Sequence, residues 1–140
     1  MNIQQVTTEE QLEDAYKVRR KVFVDEQQVS EEEEIDQFED DASHIVLYDN
    51  NEPIGAARVR ILDEIGKLER ICVLQSSRKK GAGKILVTKL EEIAQSQGAT
   101  KLKLNAQTHA IPFYQRLGYE VVSDTFLDAG IPHVTMIKNS

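Results

Sequence analysis

Apolar residues at helical spacing open the chain: Leu12, Ala15, Tyr16, Val22 and Phe23 fall on one face. Thr7 and Thr8 precede them, with Glu10 and Gln11 three residues on. These are overlapping capping-box patterns, in which a hydroxyl and a carboxylate or amide satisfy the first free N–H groups of a helix. The pattern predicts a helix from about Glu9 to Val24. After it the periodicity fades into an acidic stretch that reads as a solvated loop with at most a short helix. His44–Asp49 and Ile54–Leu62 are rich in Ile, Val, Leu and Ala, and Asn50, Asn51 and Pro53 lie between them as turn formers, so the two predict a hairpin. A turn at Asp63–Gly66 leads to Lys67–Leu74, a third antiparallel strand by its alternation. Gln75-Ser76-Ser77 then breaks the pattern. Ile85, Leu86, Leu90, Ile93 and Ala94 form one face of a central helix that ends at Gly98. Lys101–Asn105 alternates as a short strand, Ala110–Leu117 reads as a short helix closed by Gly118, Tyr119–Ser123 returns to strand, and His133–Ile137 completes a final hairpin.

Composition narrows the class without changing these elements. At 140 residues, 40% hydrophobic and 29% charged, the chain fits one globular α/β or α+β domain over residues 1–140, with no repeat and no linker. Met1-Asn2-Ile3-Gln4-Gln5 lacks the basic start and apolar stretch of an export signal. The apolar runs fall short of the ~20 residues needed to span a membrane. A cytoplasmic protein without a membrane partner is expected. Cys72 is the only cysteine, which rules out an internal disulfide and a cysteine-rich metal site. The net charge of −7 argues against a nucleic-acid partner. It is unevenly spread. Between Asp25 and Asp41 lie ten acids and no Lys or Arg, which leaves the rest of the chain at +3 and able to hold an anion.

The candidate anion site follows the third strand. Arg78-Lys79-Lys80-Gly81-Ala82-Gly83-Lys84 opens the central helix, whose first turn leaves N–H groups unpaired and carries about half a positive charge. Gly81 and Gly83 let a pyrophosphate approach the backbone, and Arg78, Lys79, Lys80 and Lys84 add charge. Ile85 follows Lys84 where a P-loop requires Ser or Thr. Leu86 occupies the position of the third small residue of a dinucleotide fingerprint, and no parallel βαβ unit begins the chain. Both of those phosphate sites are disfavoured.

Arg78-x-x-Gly81-x-Gly83, between a strand and a long helix, resembles the Gln/Arg-x-x-Gly-x-Gly/Ala signature of the GNAT N-acetyltransferase superfamily. Asn105 at a strand end, then Ala110-Ile111-Pro112-Phe113-Tyr114-Gln115-Arg116-Leu117-Gly118-Tyr119, resembles its second motif. Arg20-Lys21-Val22-Phe23-Val24-Asp25-Glu26-Gln27 and Gly130-Ile131-Pro132-His133 are similar to the small ElaA/YjcF-like branch, so the resemblance covers nearly the whole chain. It implies the acyl-CoA N-acyltransferase fold, a mixed, mostly antiparallel sheet of about six or seven strands flanked by helices. It also implies acetyl-CoA as co-substrate with no metal, bound in a V-shaped opening between Lys67–Leu74 and Lys101–Asn105. The activity implied is transfer of the acetyl group to a primary amine by direct attack in a ternary complex.

The resemblance also assigns residues. Ile71, Cys72 and Val73 would lie along the pantetheine arm, the N–H of Val73 polarising the thioester carbonyl. Arg78 to Lys84, Ala82 included, would hold the pyrophosphate. Asn105 would orient pantetheine or a water, although it also reads as a residue ending a strand. Tyr114 would protonate the departing thiolate, although spacing alone makes Phe113, Tyr114 and Leu117 three core residues. Glu69 and His133 are candidates for taking the amine's proton, against plainer readings as a surface strand residue and a structural imidazole. His109 and His44 read as openers of a helix and a strand. Cys72 has no visible base to activate it and reads as a buried, inert thiol.

The acceptor stays open among a small amine, an amino-sugar phosphate such as glucosamine 6-phosphate, and a protein amine. The acidic stretch, read as an acceptor-binding lip, would favour a cation. A non-catalytic acyl-CoA sensor is the alternative from another class, and the Arg20–Phe23 region suggests a third, an acyltransferase making a signalling lactone. Homodimers are common in the superfamily, but no interface is marked here.

Overall fold

The computed structural model describes residues Met1–Ser140. The chain runs β1 (Asn2–Gln5), α1 (Glu9–Arg19), a wider π-helical segment (Arg20–Glu26), α2 (Glu31–Glu34), β2 (Ser43–Asp49), β3 (Glu52–Leu62) and β4 (Ile65–Val73). It continues through α3 (Ala82–Ser96), β5 (Lys101–Gln107), α4 (Ile111–Arg116), β6 (Glu120–Val121), β7 (Phe126–Asp128) and β8 (Ile131–Asn139).

The eight strands form one sheet in the order β1-β2-β3-β4-β5-β8-β6, with β7 also on β8. The β4–β5 pair is parallel and the other pairs are antiparallel. The sheet thus exceeds the expected six or seven strands. The additions are β1 and β7, short segments with weak apolar alternation that become strands because a partner edge satisfies their backbone. At the first helix the expected capping box forms: Thr8 Oγ1 accepts from the Gln11 N–H, and Gln11 Oε1 accepts from the Thr8 N–H, both at 3.2 Å.

Alternation along the strands divides the core. Ile45, Leu47, Ala57, Val59, Leu102, Leu104 and Met136 face α3, where Leu86, Val87, Leu90 and Ala94 meet them. Val46, Ala56 and Cys72 face α1 and its Ala15, Val18 and Val22. Gly66 sets how closely α3 approaches β4, since a Cβ there would lie 2.7 Å from the Ala94 Cβ. No helix is long and apolar enough to cross a membrane.

The acidic stretch is not a solvated loop. Glu34 and Glu39 are only 1% and 8% exposed, and arginines from α1, β3 and β4 hold the segment down. Arg19, itself fully buried, pairs with Glu34 at 2.6 Å and with Glu39 at 2.7 Å. Arg58 pairs with Asp36 at 2.8 Å and Glu39 at 2.9 Å, and Arg70 reaches Glu34 and Asp36, each at 3.2 Å. Burying charge is unfavourable unless each ion is compensated, and each of these three carboxylates has two guanidinium partners. Burial alone would raise the Asp36 and Glu39 carboxyls. The bonds from Arg58 and Arg19 respectively outweigh it and hold each down to about 2.

Candidate active site

β4 keeps its antiparallel partner β3 as far as Val73, opposite Gly55, but pairs with β5 only from Ile65–Leu68 to Lys101–Leu104. Beyond those pairs β4 and β5 diverge. The bend comes from a bulge in which Ala57 of β3 faces both Arg70 and Ile71, with Arg70 in the left-handed region at φ 58°. A side chain is uncommon there. The ion pairs of Arg70 with Glu34 and Asp36, and its bond to the Glu33 carbonyl at 3.0 Å, hold it in place.

The divergence opens a cleft of about 660 Å³. Ile71, Cys72 and Val73 lie along one wall and Asn105 along the other. The Leu74 N–H donates to the Ile54 carbonyl at 2.8 Å. Because hydrogen-bonded and non-bonded pairs alternate along an antiparallel ladder, the N–H and C=O of Val73 turn to the opposite edge, toward the opening. The carbonyl there accepts from Arg78 Nε at 3.0 Å.

At the end of the cleft stands the first turn of α3. Gly81, at φ 80°, is its N-cap, and the first i→i−4 bond into it is from the Ile85 N–H to the Gly81 carbonyl. The N–H groups of Ala82, Gly83 and Lys84 therefore have no helical acceptor. Lys79 and Lys84 line the cleft beside them, whereas Lys80 is exposed and outside it.

Two contacts within this loop bear on its expected roles. Arg78 lines the cleft, and its guanidinium forms a bidentate pair with Glu26, both bonds at 2.7 Å. At Gly83 packing also favours glycine, because a Cβ there would lie 3.1 Å from Phe113 Cζ. Gly81 has open space around its Cα, so its requirement is the left-handed backbone.

The remaining expected side chains also reach the cleft. Tyr114 is 8% exposed, packs edge-on against Phe113 and Tyr119, and makes no side-chain hydrogen bond within the protein. Burial raises its pKa, so the phenol stays a proton donor at neutral pH. Asn105 Oδ1 accepts from Thr135 Oγ1 at 2.9 Å. Cys72 is buried, with its thiol pushed up to about 12 by burial and then by the charge of Glu34, as the inert reading expects.

Glu69 and His133 differ sharply. The Glu69 carboxylate is held by Arg60 at 2.8 Å, Arg58 at 3.0 Å and Lys67 at 3.2 Å. Burial would raise it, but those cations outweigh burial and keep its pKa below the ordinary carboxylate value. His133 Nδ1 lies 2.6 Å from the Ile131 carbonyl, which can only accept, so Nδ1 carries the proton. Its Nε2 has no protein partner, and Phe126 stacks on the ring at 6.1 Å. His109 also lines the cleft, 2.8 Å from Gln107 Oε1, whereas His44 is buried at the start of β2 and bonds the Glu39 carbonyl.

Residues 3–140 match the family model for the acetyltransferase (GNAT) domain. The chain belongs to the GNAT acetyltransferase family. The uncharacterized N-acetyltransferase YjcF of Bacillus subtilis is 55% identical over 132 residues, covering 94% of each chain. A putative N-acetyltransferase from Lactobacillus plantarum superposes with a TM-score of 0.91 at 30% identity, over 99% of this chain and 97% of that one. Escherichia coli ElaA superposes with a TM-score of 0.87 at 27% identity, over 99% of both. As a GNAT acyltransferase the protein is an enzyme of acetyl transfer from acetyl-CoA to an amine.

Several residues that shape this GNAT cleft were given no role there by the sequence. Glu26 reaches it from the end of the π-helical segment and Gln27 from the residue after it, Gln107 from the end of β5 and Asp128 from β7. Arg70 gives no warning that it is a bulge, because nothing in a single strand reveals a two-against-one pairing. No group of three or more His, Cys, Asp or Glu residues is arranged to hold a metal ion.

Proposed function

We propose that this GNAT enzyme binds acetyl-CoA in the cleft between β4 and β5 and passes the acetyl group directly to a primary amine in a ternary complex. One observation carries the reading: the cleft has the Val73 N–H on its wall and the unpaired N–H groups of Ala82, Gly83 and Lys84 at its end. The first suits a carbonyl that gains negative charge, and the second suits a pyrophosphate. The cofactor supplies an activated acyl group and a thiol leaving group.

The protein's own groups divide the work. Ile71 and Val73 turn backbone groups to one wall, those of Cys72, one residue out of phase, turn to β3, and Asn105 stands on the other wall. Lys79 and Lys84, with the first turn of α3, take the phosphates, while Gly81 provides the turn and Gly83 the room for Phe113. Tyr114 gives its proton to the departing sulfur. We assign the amine's proton to His133 Nε2 rather than to Glu69, because three cations already engage the Glu69 carboxylate and weaken it as a base. The acceptor class remains a primary amine on a small molecule, an amino-sugar phosphate or a protein.

Calorimetric titration with acetyl-CoA tests the site. Any side chain at Gly81 would strain a φ of 80°, so charge reversal at Lys79 and Lys84 is the cleaner perturbation. Binding by the parent that is lost in Lys79→Glu/Lys84→Glu supports the reading. A parent that does not bind overturns it.

A further inference from the structure

Two consecutive residues of the segment after α1 touch both lips of the cleft. Glu26 grips Arg78 on the β4 side through two bonds of 2.7 Å, and Gln27 Oε1 accepts from Gln107 Nε2 of β5 at 2.9 Å. Both contacts lie beyond the point at which β4 and β5 stop pairing. Nothing else in the ladder fixes the separation of the strands there. The Arg20–Glu26 segment is π-helical, a widened geometry that recurs where a helix must aim side chains at a site.

Arg78 continues the connection. Its Nε donates to the Val73 carbonyl at 3.0 Å while both terminal nitrogens are on Glu26. The N–H and C=O of Val73 project from the same edge of β4 and pivot on one Cα. Restraining the carbonyl therefore restrains the direction of the N–H. A planar guanidinium can hold both partners at once, and an ammonium cannot reproduce that fork.

We propose that Glu26 and Arg78 are positioning residues for acyl transfer: Glu26 orients Arg78, Arg78 holds the Val73 carbonyl, and the Val73 N–H is thereby aimed at the thioester oxygen. Gln27, through Gln107, holds the β5 lip at the matching distance. The inference rests on the reading that acetyl-CoA occupies this cleft with Val73 as its carbonyl donor. It gives the arginine of the loop a task other than phosphate binding, which falls to Lys79, Lys84 and the start of α3.

The test uses the full chain, acetyl-CoA labelled with ¹³C at the acetyl carbonyl, and no acceptor. Infrared difference spectroscopy reads the carbonyl stretch of the bound thioester, and calorimetry reads Kd for the parent, Arg78→Lys, Arg78→Ala and Glu26→Gln. In the parent the hydrogen bond lowers the stretch below that of free acetyl-CoA. Arg78→Lys and Arg78→Ala should lose most of that shift, and Glu26→Gln part of it. Kd should stay within about threefold, the scale of an exposed ion pair. An Arg78→Ala protein that keeps the parent frequency but binds about tenfold or more weakly would make Arg78 a phosphate ligand and overturn the proposal. Parent-like frequencies in all variants overturn it as well. Glu26→Gln changes one partly exposed side chain and keeps the measurement informative should Arg78→Ala fail to fold. A parent complex without a shift removes Val73 as donor, and with it the clamp. A parent that does not bind acetyl-CoA defeats the cofactor reading itself.

Discussion

Replacing Glu39 by Gln conserves shape and removes one buried charge from between Arg19 and Arg58. The carboxylate lies 2.7 Å from Arg19 and 2.9 Å from Arg58, and these partners hold its pKa at about 2 against an ordinary value of 4.5. A displacement of roughly two and a half units corresponds to about 3 kcal/mol of stability at neutral pH. That agrees with the ~3–5 kcal/mol lost when one partner of a buried ion pair is removed. The group's folded pKa is depressed, so its contribution is complete above the unfolded value and is lost as pH falls toward the folded one. Urea unfolding of parent and Glu39→Gln should therefore show a gap of about 3 kcal/mol at pH 7, nearly unchanged at pH 5 and roughly half gone near pH 3. Burial lowers the His44 pKa while the Glu39 charge 3.8 Å away raises it, so Glu39→Gln also makes His44 harder to protonate, and the pH dependence is read with His44 kept in both proteins and again in a His44→Gln background. A gap below about 1 kcal/mol at pH 7 would refute the ion-pair account. A gap that does not narrow in acid would assign the loss to packing or hydrogen bonding.

Once thiol-release screening has found an amine substrate, Tyr114→Phe should lower kcat by about a hundredfold or more, as expected for a lost general acid. Its Kd for acetyl-CoA should change little, and equal turnover in variant and parent would remove Tyr114 from that role. Cys72, buried with its thiol pushed up to about 12, should resist a disulfide reagent in the native protein and react at once in urea. Fast labelling of the native protein would contradict that burial.

The elements that were legible in the sequence are those whose signal is local. The capping box at Thr8 and Gln11 marked the start of α1, and the apolar face from Ile85 to Ala94 marked α3. The loop from Arg78 to Lys84 pointed to an anion site because a helix start following a strand has the same physics in any fold. What escaped depends on pairing. β1 has one apolar residue and exists because β2 offers an edge to Asn2–Gln5. The splay of β4 from β5 depends on a bulge at Arg70 that only the register against β3 reveals. At Gly83 the nearest atoms to a side chain belong to Phe113, thirty residues away along the chain, a packing reason for glycine that no local pattern reveals.

The acidic stretch shows why charge counted along a sequence misleads about charge felt by a substrate. Read as a solvated run of ten acids, it would draw cations toward the cleft. In the fold, Glu26 is neutralised by Arg78, Glu31 by Arg20, Glu34 by Arg19 and Arg70, Asp36 by Arg58 and Arg70, and Glu39 by Arg19 and Arg58. The five left without an ion pair are Asp25, Glu32, Glu33, Asp40 and Asp41, none of which lines the cleft. An ion pair screens its own field at distances longer than its separation, so half of the apparent charge contributes little at the site. The segment instead braces the bulge: Glu34 and Asp36 hold Arg70 in its left-handed conformation, and that conformation keeps β4 apart from β5. On the proposed reading of the cleft, acceptor preference would come from groups that line the opening, Asp128 and His133 among them, rather than from the net charge of the segment. The acids that appeared to advertise a substrate chiefly maintain the shape of the cleft in which it would react.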